Sequence, residues 1–151
     1  MAKDCLILPS AGVDLKPVAA MAEFAVTNGA GASTAPFYQC CKALVEYRQG
    51  HFEDAVEWAE RAATNPFPYS QAEAYAILAM SEYQLKQVAI ARATLVKGDT
   101  VVAEHLPKLG IQRLGYDWRD WIIVHSLLDE ARSLIDGPTS TNVDWRITPY
   151  E

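Results

Sequence analysis

The stretch that decides the fold is EYRQGHFEDAVEW, residues 46–58. Gly50 interrupts two runs of helical spacing in it, as a glycine at the end of a helix does. Glu53 and Asp54 follow, in what would be the first turn of the next helix, where the helix dipole favours negative charge. The stretch therefore predicts a helix–turn–helix hairpin, with helices at about 36–49 and 52–64.

A second hairpin is predicted because this pattern recurs further along the chain. Residues 43–50 align with residues 79–86 at a shift of 36 residues, and the shift brings alanine onto alanine at 55 and 91. The shared positions also include glutamate at 46 and 82 and tyrosine at 47 and 83. Repeats of about 34 residues are typical of stacked helical hairpins.

Helices are also predicted on both sides of these hairpins, and strand signals are scarce. Asp14 is a suitable cap for a helix over 14–27, which Gly29 would end. Ser70 and Glu73 have the spacing of a capping box, which would open the second hairpin, 70–97. Gly98 would end that hairpin, and a short helix would follow at 100–106.

A closing helix over 117–135, capped by Asp117, completes the predicted domain. Trp118, Trp121 and His125 share a stripe of this helix that we expect to be buried. The domain therefore spans residues 1–136, and residues 137–151 are predicted to be a loosely ordered tail. The predicted fold class is all-α.

Residues 38–66 resemble a tetratricopeptide repeat (TPR). Ala43 and Ala55 stand at the small positions of its two helices, Tyr47 at the aromatic position and Gly50 at the turn. The second unit departs from the pattern, since it has lysine at the turn position, 86, and glycine at the later small position, 98. The resemblance implies stacked helical hairpins, an α-solenoid segment, with the last helix closing the stack.

In the TPR family the inner faces of the first helices line a groove that binds peptides. The resemblance therefore implies that a partner protein or peptide would bind at Cys40, Leu44, Tyr47, Arg48, Ala76, Met80, Tyr83 and Gln84. Among these residues, Arg48 has a planar guanidinium group suited to gripping a carboxylate. We call this surface the helix-A groove.

The composition excludes several classes of function. A formal net charge of −6 argues against nucleic-acid binding and against docking on anionic lipid. No apolar run is long enough to cross a membrane, and three cysteines form a poor disulfide framework, which favours the cytoplasm. The histidines and cysteines lack metal-ligand spacing, so we expect no metal, no cofactor and no enzymatic activity.

An enzyme remains an alternative, and its site would be a polar pocket around Arg119, Asp120 and His125. Two other functions also remain open from the sequence. The first is a protein–protein interaction or scaffold segment that uses the helix-A groove. The second is a purely structural segment at the C-terminal end of a longer bacterial repeat protein, similar to repeat tails linked to serine/threonine kinase modules. In the second case Cys5-Leu6-Ile7-Leu8 would end an incomplete helix, leaving an apolar N-terminal edge for upstream repeats or a second copy.

Overall fold

A computed structural model describes residues 3–9, 12, 14–105 and 118–137 of the chain. This part is all-helical, which confirms the predicted fold class. A short 3-10 helix, η1, is followed by six α-helices, whose bounds are η1 Lys3–Leu6, α1 Leu15–Asn28, α2 Ala35–Gln49, α3 Phe52–Ala63, α4 Pro68–Gln84, α5 Val88–His105 and α6 Trp118–Ile135.

The ends of α1 and α2 follow the predicted signals. Asp14 caps α1, its Oδ1 accepting a hydrogen bond from the Lys16 backbone N–H at 3.0 Å. Gly29 caps the other end of α1, with its N–H donating to the Ala25 carbonyl. Gly50 ends α2 in the left-handed conformation, at φ 84°. A residue with a Cβ adopts that conformation only at a cost, which is why the chain has glycine there.

The predicted capping box at the start of α4 is wrong. The helix begins at Pro68, where a missing N–H costs nothing, and Phe67 occupies the cap position. Ser70 is instead buried inside the first turn, with its Oγ 3.2 Å from Asn65 Nδ2 and 3.5 Å from Cys40 Sγ. Glu73 is also buried, so both residues serve tertiary packing rather than the helix end.

The predicted helix end at Gly98 is also wrong. The helix α5 continues through Gly98 to His105 and absorbs the separate helix expected at 100–106, whose last residue lies outside the described residues. Gly98 is buried against the side chains of Tyr75 and Leu128, so packing rather than chain termination accounts for it. Asp117 and the tail from 138 to 151 lie outside the described residues as well.

The helices stack in an alternating order. We call α2, α4 and α6 the inner helices, because α4 packs against both α2 and α6. We call α1, α3 and α5 the outer helices. Among them, α3 lies against α2 and α4, α5 lies against α4 and α6, and α1 lies against α2. The two predicted hairpins are therefore α2–α3 and α4–α5, and α6 stands next to α4 and α5 as a further inner helix.

The buried face of α6 differs from the predicted stripe. Trp121, Val124, Leu127 and Leu128 are buried, whereas Trp118 is 46% exposed. His125 lies on the exposed side of the helix, so the prediction that it belongs to the core is wrong. Trp121 is therefore buried as predicted, whereas Val124 and Leu127 are buried in place of Trp118 and His125. No helix in the described part of the chain is long and apolar enough to cross a membrane.

Candidate partner-binding surfaces

Half of the predicted helix-A groove lies in the interior of the fold. Cys40, Leu44, Ala76 and Met80 have no exposed surface. Burial raises the pKa of the Cys40 thiol to about 12, and its Sγ lies 3.4 Å from the Ser70 carbonyl oxygen. These side chains pack between α2, α4 and their neighbours, so a partner could touch them only if helices moved apart.

The polar side chains of the predicted helix-A groove contact other residues of the same chain. Tyr47 is buried, forms a side-chain hydrogen bond with Gln84 and lies 5.8 Å from the Phe52 ring, centroid to centroid. Burial raises the pKa of the Tyr47 hydroxyl. Tyr83 and Gln84 are half-buried. The structure therefore brings Tyr47 and Gln84 together across the two units.

Arg48 grips a carboxylate, and that carboxylate belongs to α6. Its Nη1 and Nη2 donate to Glu130 Oε1 and Oε2 at 2.5 and 2.7 Å. Its Nε donates to the Leu6 carbonyl at 2.9 Å, and Nη2 donates to the Ile7 carbonyl at 3.2 Å. This two-pronged geometry is the one for which a guanidinium group is suited. Arg48 therefore ties α6 and the N-terminal segment to α2.

A second charged contact joins the N-terminal segment to α4 and α6. Lys3 Nζ donates to both oxygens of Glu73, at 2.9 and 3.0 Å, and lies 3.6 Å from Asp120 Oδ1 of α6. Burial raises the pKa of Glu73 to about 7 although Lys3 opposes the shift. The pKa of Lys3 is raised, because its pairing with Glu73 outweighs the burial that lowers it. The helix-A groove is therefore closed by η1 and α6.

A different apolar surface is open at α1. A groove of about 270 Å³ runs between α1 and the start of α2. Its lining consists of Lys3, Met21, Ala22, Ala25, Phe37, Tyr38 and Cys41, and we call it the α1–α2 groove. Met21 is 51% exposed beside it, and Phe24, one turn along α1, is 69% exposed. The surface of α1 beside this groove is therefore apolar and open to solvent.

Other large apolar side chains are exposed on α5 and α6. Ile122 is 56% exposed and lies one turn after Trp118 on the outer face of α6. Val96 on α5 is 62% exposed. Single exposed apolar residues are common, whereas contiguous exposed apolar patches mark interaction surfaces. Met21 with Phe24, and Trp118 with Ile122, are exposed pairs about one helical turn apart.

Arg119, Asp120 and His125 do not converge on a common pocket. His125 and Arg119 are exposed on α6, and Asp120 faces Lys3, so these three residues point in different directions. His51 Nδ1 lies 2.7 Å from Glu46 Oε2, and Asp54 is close to both. Lys42 Nζ occupies the other oxygen of Glu46 at 2.5 Å, so a metal ion at this cluster would meet an ammonium group. The cluster is a local ion-pair network.

Comparisons of the chain with models of protein families, with curated proteins and with solved structures give no match. The likeness to the TPR family therefore stays a prediction from the residues themselves. Sequence reasoning missed the pairing of Lys3 with Glu73, which are 70 residues apart, because no local pattern connects them. It also missed the exposure of Phe24.

Proposed function

We propose that the chain is a non-catalytic, TPR-like scaffold segment that binds a helix of another polypeptide in the α1–α2 groove. The observation that carries this proposal is the exposed pair Met21 and Phe24 beside a groove lined mainly by apolar side chains. Contact between this apolar surface and water is unfavourable. A docked helix would remove the surface from water and would gain about 25 cal/mol for each Å² of apolar area buried. We place the protein in a reducing compartment such as the cytoplasm, in accord with three cysteines that form no disulfide with one another.

We favour the α1–α2 groove because the chain's own α6 already occupies the helix-A groove. A partner in the helix-A groove would have to displace Glu130 from Arg48 and leave two charges to be paired again. Leaving one charge of a partly buried ion pair without its partner costs about 3 kcal/mol of free energy. The α1–α2 groove carries no such obstacle, because Met21 and Phe24 are exposed and face no neighbouring helix in the described part of the chain.

A helix is the kind of ligand that suits the α1–α2 groove. Each inner helix that follows a hairpin lies in a groove between two earlier helices, as α4 does against α2 and α3. The α1–α2 groove is made from an outer and an inner helix in the same way. An amphipathic helix binds such a groove through apolar side chains at i, i+3, i+4 and i+7.

A purely structural role is the second candidate, and one observation favours it. The Arg48–Glu130 contact gives the chain's own α6 the position that a peptide ligand would take in the helix-A groove. In that case the protein would be a closed end of a longer bacterial repeat array, of the kind linked to kinase modules, and its surfaces would serve only neighbouring repeats. The two candidates differ in whether the isolated chain binds helical peptides.

Selection from a displayed peptide library against the immobilised chain tests the proposal. We expect amphipathic helical peptides whose affinity, measured by fluorescence anisotropy, falls at least tenfold with Met21→Asp. The matched control is Val96→Asp, which charges a similarly exposed apolar position on α5 and should leave binding unchanged. Peptides whose affinity falls with Arg48→Ala instead would indicate that they bind in the helix-A groove. A selection without enriched peptides would favour the structural role.

A further inference from the structure

Residues 3–9, which we call the N-terminal strap, contact the helix stack through a small number of side chains. The strap begins with the 3-10 helix η1, in which residues three apart lie on the same face. Lys3 and Leu6 therefore share a face. That face is turned toward the stack, because Leu6 is 1% exposed, whereas Cys5 between them is exposed.

The lysine of the strap lies in a site made by three helices. Lys3 Nζ donates to both oxygens of Glu73 on α4 and lies 3.6 Å from Asp120 Oδ1 on α6. The ring centroid of Phe37 on α2 lies 5.9 Å from the same nitrogen. Glu73 has no exposed surface, so its charged carboxylate needs a cation at this point. Glu73, Asp120 and Phe37 do not belong to the predicted helix-A groove, and we call them the lysine subsite.

Arg48 binds the strap through its main chain. Its Nε donates to the Leu6 carbonyl at 2.9 Å, and its Nη2 donates to the Ile7 carbonyl at 3.2 Å. Carbonyl groups in this position are available from any peptide of the same backbone shape. Arg48 binds Glu130 through Nη1 and Nη2 at the same time, so a peptide that replaced the strap would leave the contact with α6 in place.

The strap fills its site incompletely. A cavity of about 80 Å³ remains, lined among others by Leu6 and Leu8 of the strap, by Arg48 and by Leu15 at the start of α1. Leu8 is 67% exposed, and Pro9 is exposed as well. The contacts that fix the strap are therefore those of Lys3, Leu6 and the two carbonyls, and all of them are contacts that a separate peptide can make.

We propose that the strap is a resident ligand, and that its site also binds a segment of another polypeptide in which a lysine precedes a leucine by three residues. The lysine pairs with Glu73, the leucine takes the place of Leu6, and Arg48 binds the carbonyls of the leucine and of the next residue. The strap competes with such a segment at an effective concentration on the order of millimolar, because it is part of the same chain. The site goes beyond the proposed function, which concerns the α1–α2 groove.

A fluorescein-labelled peptide of residues 1–9, carrying Cys5→Ser to prevent disulfides, tests the inference by fluorescence anisotropy with the full chain. The unchanged chain should bind it weakly, because the strap competes. Leu6→Asp in the chain charges the buried side chain of the strap and should release it, so the affinity should rise at least tenfold. The matched control Leu8→Asp charges an exposed side chain of the same strap and should leave the affinity unchanged. A peptide that also carries Lys3→Glu should not bind.

A second measurement keeps the sequence of the strap intact and does not depend on the folding of Leu6→Asp. Cys5 is exposed, whereas Cys40 and Cys41 are buried, so a maleimide dye labels Cys5 selectively. Excess unlabelled peptide should displace the labelled strap. The anisotropy of the dye should then fall, because the displaced strap moves freely.

Several results would overturn the inference. These are a dye anisotropy that stays constant at millimolar peptide, a folded Leu6→Asp chain that binds no more tightly than the unchanged chain, and an affinity that rises equally with Leu8→Asp. Binding that survives Lys3→Glu in the peptide would exclude the lysine subsite. Binding that is lost with Met21→Asp in the chain would place the peptide in the α1–α2 groove instead. Selected helical peptides that still depend on Met21 in any of these cases leave the proposed function standing.

Discussion

Gly50 and Lys86, 36 residues apart, have the same left-handed backbone at the turn of their hairpins, with φ of 84° and 66°. The hydrogen bonds around them match as well. The N–H of the next residue reaches back to the carbonyl of Glu46 in one hairpin and of Glu82 in the other, at 2.9 Å each. The second unit therefore keeps the turn geometry of the first although it has lost the glycine that suits it.

Replacing the lysine at this turn should stabilise the protein. A side chain in the left-handed region costs about 1 kcal/mol, and the Lys86 side chain is exposed, so Lys86→Gly removes that cost and little else. We expect the free energy of unfolding in urea to rise by about 1 kcal/mol. The reciprocal control is Gly50→Ala, where a Cβ meets no atom within 4 Å, so any loss reports the backbone alone. A destabilised Lys86→Gly variant would contradict this account.

The glutamates that precede these turns should respond oppositely to neutralisation. Burial raises the pKa of Glu82, whose Oε2 has no hydrogen-bond partner among the described residues. Its contribution to stability is therefore present at low pH and is lost as the pH rises through the raised pKa. Glu82→Gln should stabilise the chain by about 1 kcal/mol at pH 7.5 and by less as the pH approaches 4.

Glu46 is the matched control, because it holds the same position in the first hairpin. Burial alone would raise its pKa, but hydrogen bonds from Lys42 and His51 lower it overall. A lowered pKa contributes stability above the unfolded value that is lost as the pH falls. Glu46→Gln should therefore destabilise the chain at pH 7.5. Chemical denaturation at pH 7.5 and pH 4 measures the free energy of unfolding of both variants. Equal effects of Glu82→Gln and Glu46→Gln would contradict the difference between the two glutamates.

The Lys3–Glu73 pair should make the N-terminal segment essential for stability. Lys3→Met leaves Glu73 fully buried without its cation, which costs about 3 kcal/mol at pH 8. Because Glu73 has a pKa of about 7 even with Lys3 present, it can take up a proton, and the loss should shrink at pH 5.5. Thermal unfolding at both pH values measures the difference.

The double variant Lys3→Met with Glu73→Gln separates charge from packing. It removes the buried carboxylate as well as its partner, so most of the stability lost in Lys3→Met should return. A double variant that is as unstable as the single one would mean that the lysine stem contributes by packing against Phe37 rather than by its charge. The ring centroid of Phe37 lies 5.9 Å from Lys3 Nζ.

Local chemistry made part of this fold predictable from the sequence. The hairpin at residues 46–58, the cap at Asp14 and the turn at Gly50 follow from helical spacing and backbone conformation, and all three are present. The errors concern residues whose role is set by distant packing. Ser70 resembles a cap but is buried against Cys40, and Gly98 resembles a helix end but lies in mid-helix.

The candidate site is harder to predict for the same reason. Arg48 is suited to gripping a carboxylate, yet nothing in its neighbourhood in the sequence identifies Glu130 as that group, 82 residues away. Which groove of a helical stack is open depends on where the last helix lies, and that is a property of the whole fold. The exposed apolar residues Met21 and Phe24 on α1 are known only from the structure.

The Arg48–Glu130 contact should show measurable energetic coupling. A double-mutant cycle with Arg48→Met and Glu130→Gln should give about 2 kcal/mol, because the bonds are charge-assisted, doubled and partly buried. The matched control is Arg61 with Glu57, an ion pair within α3 whose side chains are 50% and 61% exposed. That cycle should give no more than a few tenths of a kcal/mol. Similar coupling energies in the two cycles would indicate that the Arg48–Glu130 contact does not hold α6 over the helix-A groove.

Gly98 should tolerate no larger side chain, although a glycine inside an exposed helix usually gains stability from replacement by alanine. A Cβ here would lie 3.0 Å from Leu128 Cδ2 and 3.3 Å from Tyr75 Cβ, at the point where α5 meets α4 and α6. Gly98→Leu should therefore cost about 1–3 kcal/mol, because the added atoms must push those helices apart. Gly31 is the control, because a Cβ there would meet no atom within 4 Å, and Gly31→Ala should be nearly neutral. If Gly98→Leu unfolds at the same urea concentration as the unchanged chain, then α6 does not pack against α5 as closely as described, and the closure of the helix-A groove would need to be reconsidered.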